Sequence, residues 1–223
     1  EDKLRSLLGD IHYSKGEYAQ AEAVYKRALT RNEKALGPEH PDVALSLHNL
    51  GAHYFTQGEY TQAEPLLKRA LAIREKTLRP DHPDVAQSLN GLGALYHAQG
   101  QDTLAEPLYK WALAIREEAQ GPHYPDVAYT LNNLGALYRA QGQYTLAEPL
   151  HQRALAITEK TLGPDHPYAA DSLHDLGTLY FTQGEYTQAE PLHQRALAIG
   201  EKALGLDHPY VALSLNNLGA LYH

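Results

Sequence analysis

The chain has 223 residues, 43% of them hydrophobic, and its 27 acidic and 19 basic residues give a net charge of −8. An acidic chain lacks the clustered lysine and arginine that bind nucleic acid or anionic membranes, so we predict neither as a partner. The sequence contains no cysteine, which excludes disulfides and thiolate metal sites and fits a reducing, cytoplasmic location.

A repeat of 42 residues organises the sequence. The dipeptide His-Pro marks it at His40, His82, His166 and His208, and Tyr124-Pro125 stands at the intervening step. A Leu-Gly pair keeps the same step from Leu8 to Leu218. No linker interrupts the series, so we expect residues 1–223 to form a single array. Both termini fall inside a repeat, and we therefore expect a fragment of a longer protein.

Each repeat predicts two helices, taken here in chain order. A helix pair opens the chain. The first helix of the next repeat begins at Pro41, where the backbone N–H that proline lacks would have no helical partner, and it ends at Gly58. A second helix begins near Tyr60 and carries two apolar stripes, as a helix packed between two neighbours requires. The same pair recurs from Pro83, Pro125 and Pro167, and a lone first helix starts at Pro209. The sequence predicts an all-α chain of about five helix pairs plus a final lone helix.

Small residues recur where the two helices of a repeat cross. Gly51 and Ala63 form one such pair, and Gly135 and Ala147 form another. We expect these residues to let the two helix axes approach closely, and a bulky residue at Gly135 to force them apart.

Prolines inside the second helices leave two alternatives open. They lie about six residues after the predicted start, where proline removes a backbone hydrogen bond. Either the helix begins later than predicted or its first turn is bent. The residues concerned are Pro65, Pro107, Pro149 and Pro191.

The repeat resembles the tetratricopeptide repeat (TPR) in its kinesin-light-chain-like form. The pattern Leu50-Gly51-x-x-Tyr54 matches the first helix of that family. The stretch Ala147–Ile157 and the string Gly-Pro-Asp-His-Pro at Gly163–Pro167 resemble the 42-residue kinesin-light-chain type. The resemblance covers essentially the whole chain and implies a right-handed α-α superhelix, a TPR solenoid of antiparallel helix pairs.

The resemblance also implies a concave groove, lined by the first helices, that binds an extended peptide. Asparagine amides there can donate to and accept from a peptide backbone, and aromatic side chains are common interface anchors. Packing of Phe55, Tyr129 and Phe181 against their own neighbours is the alternative. The expected peptide-binding residues are Asn49, Phe55, Asn90, His97, Tyr129, Asn132, Asn133, Arg139, His174, Phe181, Asn216 and Asn217. The resemblance implies a basic groove, as in kinesin light chains, but Asp171 and Asp175 are acidic residues at groove positions.

No catalytic, cofactor-binding or metal-binding residue is predicted. The glycines are single and regularly spaced, unlike a phosphate-binding loop, and no nucleophile motif is present. We expect the His-Pro histidines to cap or pack at helix starts. Histidines one repeat apart, such as His151 and His193, are too far apart to share an ion.

We therefore predict a scaffold that binds a protein or peptide ligand, and not an enzyme. The alternative is a structural role, either as a self-assembling element or as the sensor arm of a larger multidomain protein. That alternative depends on end-to-end stacking of solenoids, because uncapped repeat ends expose an apolar face.

Overall fold

The computed structural model describes residues 17–206 and 209–221 and contains only helices and their connections in those ranges. The predicted all-α fold of consecutively packed helix pairs is confirmed. The ten described helices are α1 (Tyr18–Leu36), α2 (Pro41–Thr56), α3 (Tyr60–Thr77), α4 (Pro83–Ala98), α5 (Asp102–Gln120), α6 (Pro125–Ala140), α7 (Tyr144–Leu162), α8 (Pro167–Gln183), α9 (Tyr186–Leu204) and α10 (Pro209–Leu221).

Contacts divide the chain into two compact units, residues 1–115 and 116–223, with the boundary inside α5. In the first unit, α2 packs against α1, α3 and α4. In the second unit, α8 packs against α7 and α9, and α6 also contacts α7 and α8. Even-numbered helices are the first helices of each repeat, and odd-numbered helices are the second helices.

The His-Pro pairs start the first helices as the sequence predicts. The backbone N–H of Asp42 donates to Nδ1 of His40 at 3.1 Å, and His82 accepts from Asp84 at the same distance. His166 repeats the arrangement at the start of α8. Tyr124, in the corresponding position before α6, makes no side-chain cap. His208 lies outside the described residues.

The second helices begin where the pattern placed them and run through their prolines. The helix α3 starts at Tyr60 and contains Pro65, so the alternative of a later start is wrong. Proline at this position leaves the carbonyl of Thr61 without its helical partner. Thr61 and Pro65 are both exposed, as are their counterparts in α5, α7 and α9, so water can satisfy that carbonyl.

The glycines of the Leu-Gly motif hold the two helices of a repeat together. A Cβ built on Gly51 would lie 2.8 Å from Cγ of Leu67, and one on Gly135 would lie 2.7 Å from the ring of His151. Ala63 is fully buried in the same contact. The prediction that small residues permit close approach of the helix axes is confirmed.

Neighbouring repeats are joined by polar contacts of the motif residues. The hydroxyl of Tyr54 donates to Glu22 at 2.8 Å, and Tyr180 donates to Glu148 at 2.9 Å. Each hydrogen bond joins a first helix to the second helix of the preceding repeat. Such bonds contribute about 0.5–1.5 kcal/mol each, so they set the register between repeats more than they set total stability.

Candidate functional site

The candidate site is the partly exposed face of the first helices, which we call the first-helix face. In α2 the buried residues include Leu47, Leu50 and Tyr54. The partly exposed side chains fall between them at helical spacing. They are Leu45, His48, Asn49, Ala52 and Phe55. We use the same name for the corresponding positions in α4 of the first unit and, separately, in α6, α8 and α10 of the second unit, although Asn90 at one of these positions is buried.

In the first unit, several predicted site residues are engaged by their own neighbours. The ring of Phe55 is partly exposed and lies 5.8 Å from that of Tyr60. His97 is also partly exposed, and its Nδ1 lies 2.7 Å from a carboxylate oxygen of Asp102. Phe55 and His97 therefore contact neighbouring side chains while part of each side chain stays accessible to solvent.

The two asparagine positions of the repeat have different surroundings. Asn90 is 2% exposed, so little of its amide is accessible to a ligand in this structure. Its counterpart Asn132 is partly exposed, and its amide contacts neighbouring helices. Nδ2 of Asn132 donates to Ser172 at 3.0 Å, and its Oδ1 lies 3.2 Å from Nδ1 of His151. Asn49 and Asn133, at the other position, are partly exposed.

In the second unit, α6 presents an exposed ring and a cation on the first-helix face. Tyr129 is 58% exposed, and the guanidinium of Arg116 lies 5.9 Å from its ring centroid. Arg139 is partly exposed near the end of the same helix.

The remaining predicted residues lie on α8 and α10. His174 is partly exposed, and its Nδ1 lies 3.2 Å from Nδ2 of Asn217, while its ring lies 5.6 Å from that of His193. Phe181 contacts the ring of Tyr186 at 5.5 Å. Asn216 is exposed. Six predicted residues of α6 and α8 remain partly or fully exposed, namely Tyr129, Asn132, Asn133, Arg139, His174 and Phe181, and Asp171 and Asp175 are also accessible on α8.

Several titratable groups on and beneath the first-helix face have pKa values shifted from their ordinary values. Burial lowers the pKa of His151 to about 4, assisted by the charge of Arg139. Burial and the charges of His193 and Arg139 likewise lower the pKa of His174 to about 4. Burial and the charge of Asp171 raise the pKa of Asp175 to about 7, although Arg139 opposes the change. The histidines are therefore neutral and Asp175 is close to half-ionised at neutral pH.

Within residues 17–206 and 209–221, no group of three or more His, Asp or Glu side chains is arranged to hold a metal ion. Over those same ranges, every helix is too short or too polar to cross a bilayer.

Comparison with known proteins identifies the repeat. The sequence model of the Tetratricopeptide repeat family matches residues 2–76, 43–118, 126–202 and 178–223. The chain belongs to the tetratricopeptide repeat family. No protein of curated function matches the sequence significantly.

Solved TPR structures resemble the chain over most of its length. A variant of a Podosopora anserina protein, assigned as a kinesin light chain with nearly identical TPR-like repeats, is 30% identical. It has a TM-score of 0.71, with 90% of this chain and 94% of that chain covered. BtubC from P. vanneervenii is 25% identical, with a TM-score of 0.75 and coverage of 92% and 83%. The kinesin-light-chain-like resemblance is thereby confirmed.

A Rap protein solved in complex with Competence and Sporulation Factor shares the fold. It is 17% identical, with a TM-score of 0.81, and the match covers 98% of this chain and 62% of that one.

Sequence reasoning missed two buried arginines behind the first-helix face of this TPR chain. Arg74 is 2% exposed and donates to Ser88 at 2.7 Å and to Gln87 at 3.0 Å. Arg116 is 5% exposed and donates to the carbonyl of Asp126 at 2.8 Å and to Thr130. The same repeat position carries Asn32, Thr158 and Gly200 in the other repeats, so a long cationic side chain where those repeats have smaller residues was the available signal.

Proposed function

We propose that this TPR chain is a protein-interaction scaffold that binds an extended peptide or partner segment across the first-helix face. The observation that carries the proposal is the difference between the buried and the exposed positions of each first helix. Packing positions are nearly constant from repeat to repeat, whereas the exposed positions of the face change from Leu45 to Gln87 to Tyr129 to Asp171. Variation confined to exposed positions is expected of a surface that selects a partner.

The chemistry of the face suits a polypeptide ligand. Tyr129 offers an exposed ring, Asn216 offers an exposed amide, and Arg139 offers a partly exposed cation. Asn133 is partly exposed, although its Nδ2 is buried. Aromatic and arginine side chains are the usual anchors of protein interfaces, and amides pair with peptide backbone.

The mechanism is pre-organisation. The first helices are fixed from behind by buried contacts, including the hydrogen bonds of Asn132 and the close approach at Gly135. A ligand that meets an ordered surface does not have to offset the entropy of ordering it, so modest contacts along an extended chain can add up to useful affinity. We do not assign a catalytic role to any residue.

Selection from a displayed library of random nine-residue peptides tests the proposal. We expect wild-type protein to enrich specific peptides, and the variant Tyr129→Ala with Asn133→Ala to lose them. Leu146→Ala is the matched control, because Leu146 is 49% exposed on the second helix α7. Retained enrichment with the face variant, or loss with Leu146→Ala, counts against the proposal.

A further inference from the structure

Three second helices carry an arginine that links them to the preceding repeat in the same way. In the first unit, Nη1 of Arg69 lies 2.6 Å from a carboxylate oxygen of Glu33, and its Nη2 donates to the carbonyl of Pro38 at 3.1 Å. In the second unit, the same two contacts join Arg153 to Glu117 and Pro122, and Arg195 to Glu159 and Pro164. Each link holds one guanidinium between a carboxylate and a backbone carbonyl.

Trp111 interrupts this series on α5, although the acceptors of the link are retained. Trp111 takes the repeat position of the arginine, while Glu75 keeps that of the carboxylate and Pro80 that of the carbonyl. In the described part of the chain, neither the carboxylate of Glu75 nor the carbonyl of Pro80 has an ion pair or a hydrogen bond. Glu75 is exposed, whereas its counterpart Glu33 is only partly exposed. The two acceptors at this link therefore lack the guanidinium that the other links supply.

Packing within the first unit places Glu75 and Trp111 beside the same helix contact. Leu71 of α3 and Leu108 of α5 pack against one buried cluster, which includes Ile115. Glu75 follows Leu71 by one turn, and Trp111 lies one turn from both Leu108 and Ile115. Side chains one turn apart share one side of a helix, so Glu75 and Trp111 border the contact between α3 and α5.

We propose that Trp111 and Glu75 receive an arginine side chain of a partner polypeptide, whose guanidinium takes the role that Arg69 plays in its own link. The site lies on second helices, so this inference goes beyond the ligand proposed for the first-helix face. Trp111 is 45% exposed, and the face of an indole ring is the strongest aromatic partner for a cation. The unpaired carboxylate of Glu75 supplies the opposite charge.

The chemistry of this surface selects arginine. A planar guanidinium can stack on an indole ring while it pairs with a carboxylate, which the compact ammonium of lysine does less well. The neighbouring cation Arg79 is engaged elsewhere, because it lies 3.4 Å from Asp81. The net charge of −8 favours the approach of a basic segment. A basic segment that contains arginine is therefore the partner that this surface fits.

The test isolates peptides that depend on Trp111 from a random nine-residue library that contains no tryptophan. The library is first depleted on the variant Trp111→Arg, whose own guanidinium should restore the link to Glu75, and the remainder is selected on wild-type protein. Depletion also removes peptides that bind only the first-helix face, since the variant retains that face. Trp111 is the only tryptophan of the chain, so its fluorescence emission reports a ligand at this site.

Binding of the best surviving peptide, carrying a fluorescein label, is measured by fluorescence anisotropy. We expect arginine to be at least about twofold more frequent in the survivors than in the starting library. Replacing that arginine by citrulline, which has a similar shape without the charge, should weaken binding to wild type about tenfold. Glu75→Gln should weaken binding about threefold. The unlabelled peptide should change the emission of Trp111.

Glu201→Gln is the matched control, because Glu201 is exposed on the second helix α9 and the substitution changes the net charge as Glu75→Gln does. This variant should bind the peptide as wild type does. The variant Tyr129→Ala with Asn133→Ala should also retain binding, which separates this site from the first-helix face. Arginine at position 111 is the residue that four other repeats carry, and circular dichroism checks that each variant folds.

The outcomes separate this inference from the proposed function. No survivors after depletion, survivors without an arginine excess, unchanged affinity with citrulline or unchanged emission of Trp111 overturn the inference and leave the scaffold standing. Equal weakening by Glu75→Gln and Glu201→Gln assigns the effect to overall charge and also overturns it. Loss of binding with the Tyr129→Ala, Asn133→Ala variant places the peptide on the first-helix face and overturns it as well.

Discussion

Adding one methyl group at Gly135 tests the packing that fixes the first-helix face. The new Cβ would lie 2.7 Å from Cε1 and Nε2 of His151, closer than real Cβ contacts permit. His151 is fully buried and cannot swing into solvent. Overpacking of this kind costs about 1–3 kcal/mol, whereas exchanging glycine for alanine in a helix gains about 1 kcal/mol. Gly135→Ala should therefore lose between about 0 and 2 kcal/mol of stability.

Gly219→Ala supplies the matched control. Gly219 occupies the same Leu-Gly position in α10, and a Cβ there would meet nothing within 4 Å. This variant should be neutral or slightly stabilised, since only helix propensity acts. The difference between the two variants isolates the steric cost of about 1–3 kcal/mol.

The assay is thermal and urea unfolding of the wild type and both variants, monitored by circular dichroism. A steric cost in this range corresponds to a difference in Tm of about 2–4 °C per kcal/mol for a chain of this size. The double variant Gly135→Ala with His151→Ala should recover part of the loss, because the clashing ring is gone. Equal Tm values for Gly135→Ala and Gly219→Ala, or strict additivity in the double variant, would refute the reasoning.

Three further predictions concern single side chains. Asp175→Asn should raise stability above pH 7 and have little effect near pH 4, because the raised pKa penalises only the ionised carboxyl. The rise of the pKa to about 7 limits the gain to roughly 4 kcal/mol. Unfolding at both pH values checks this, and a pH-independent gain contradicts it. His151 has a pKa lowered to about 4, so its contribution is complete above pH 6.5 and is lost as the pH falls from 6.5 to 4. His151→Leu should therefore lose less Tm between pH 7 and pH 5 than wild type, and an equal loss would show that His151 is not the titrating group. Tyr124→His should gain about 0.5–1 kcal/mol by creating the cap seen at His40 and His82, and an unchanged urea midpoint would argue against it.

The helices were predictable from sequence because their signals are local. Proline at the first helical position and glycine after the last turn set the ends of α2, and the structure places that helix at Pro41–Thr56. The close approach at Gly51 was also predictable, since a period of 42 residues brings equivalent small residues to equivalent crossings.

The partners of the site residues were not predictable, because they depend on helix packing across repeats. Asn132 reaches Ser172, which is 40 residues away, so nothing in the local sequence distinguishes it from the partly exposed Asn133. The burial of Arg74 is similar, because its hydrogen-bond acceptors belong to the following helix. The first-helix face could be located from the repeat. Which of its amides remain accessible to a ligand could be determined only from the structure.

Backbone amide chemical shifts measured during titration with the best selected peptide test the central claim most directly. The account predicts shifts concentrated in the first helices of the second unit, α6 and α8, and strongest around Tyr129 and Asn133. Shifts confined to the second helices α3, α5, α7 and α9 would place the ligand on the opposite surface and contradict the account.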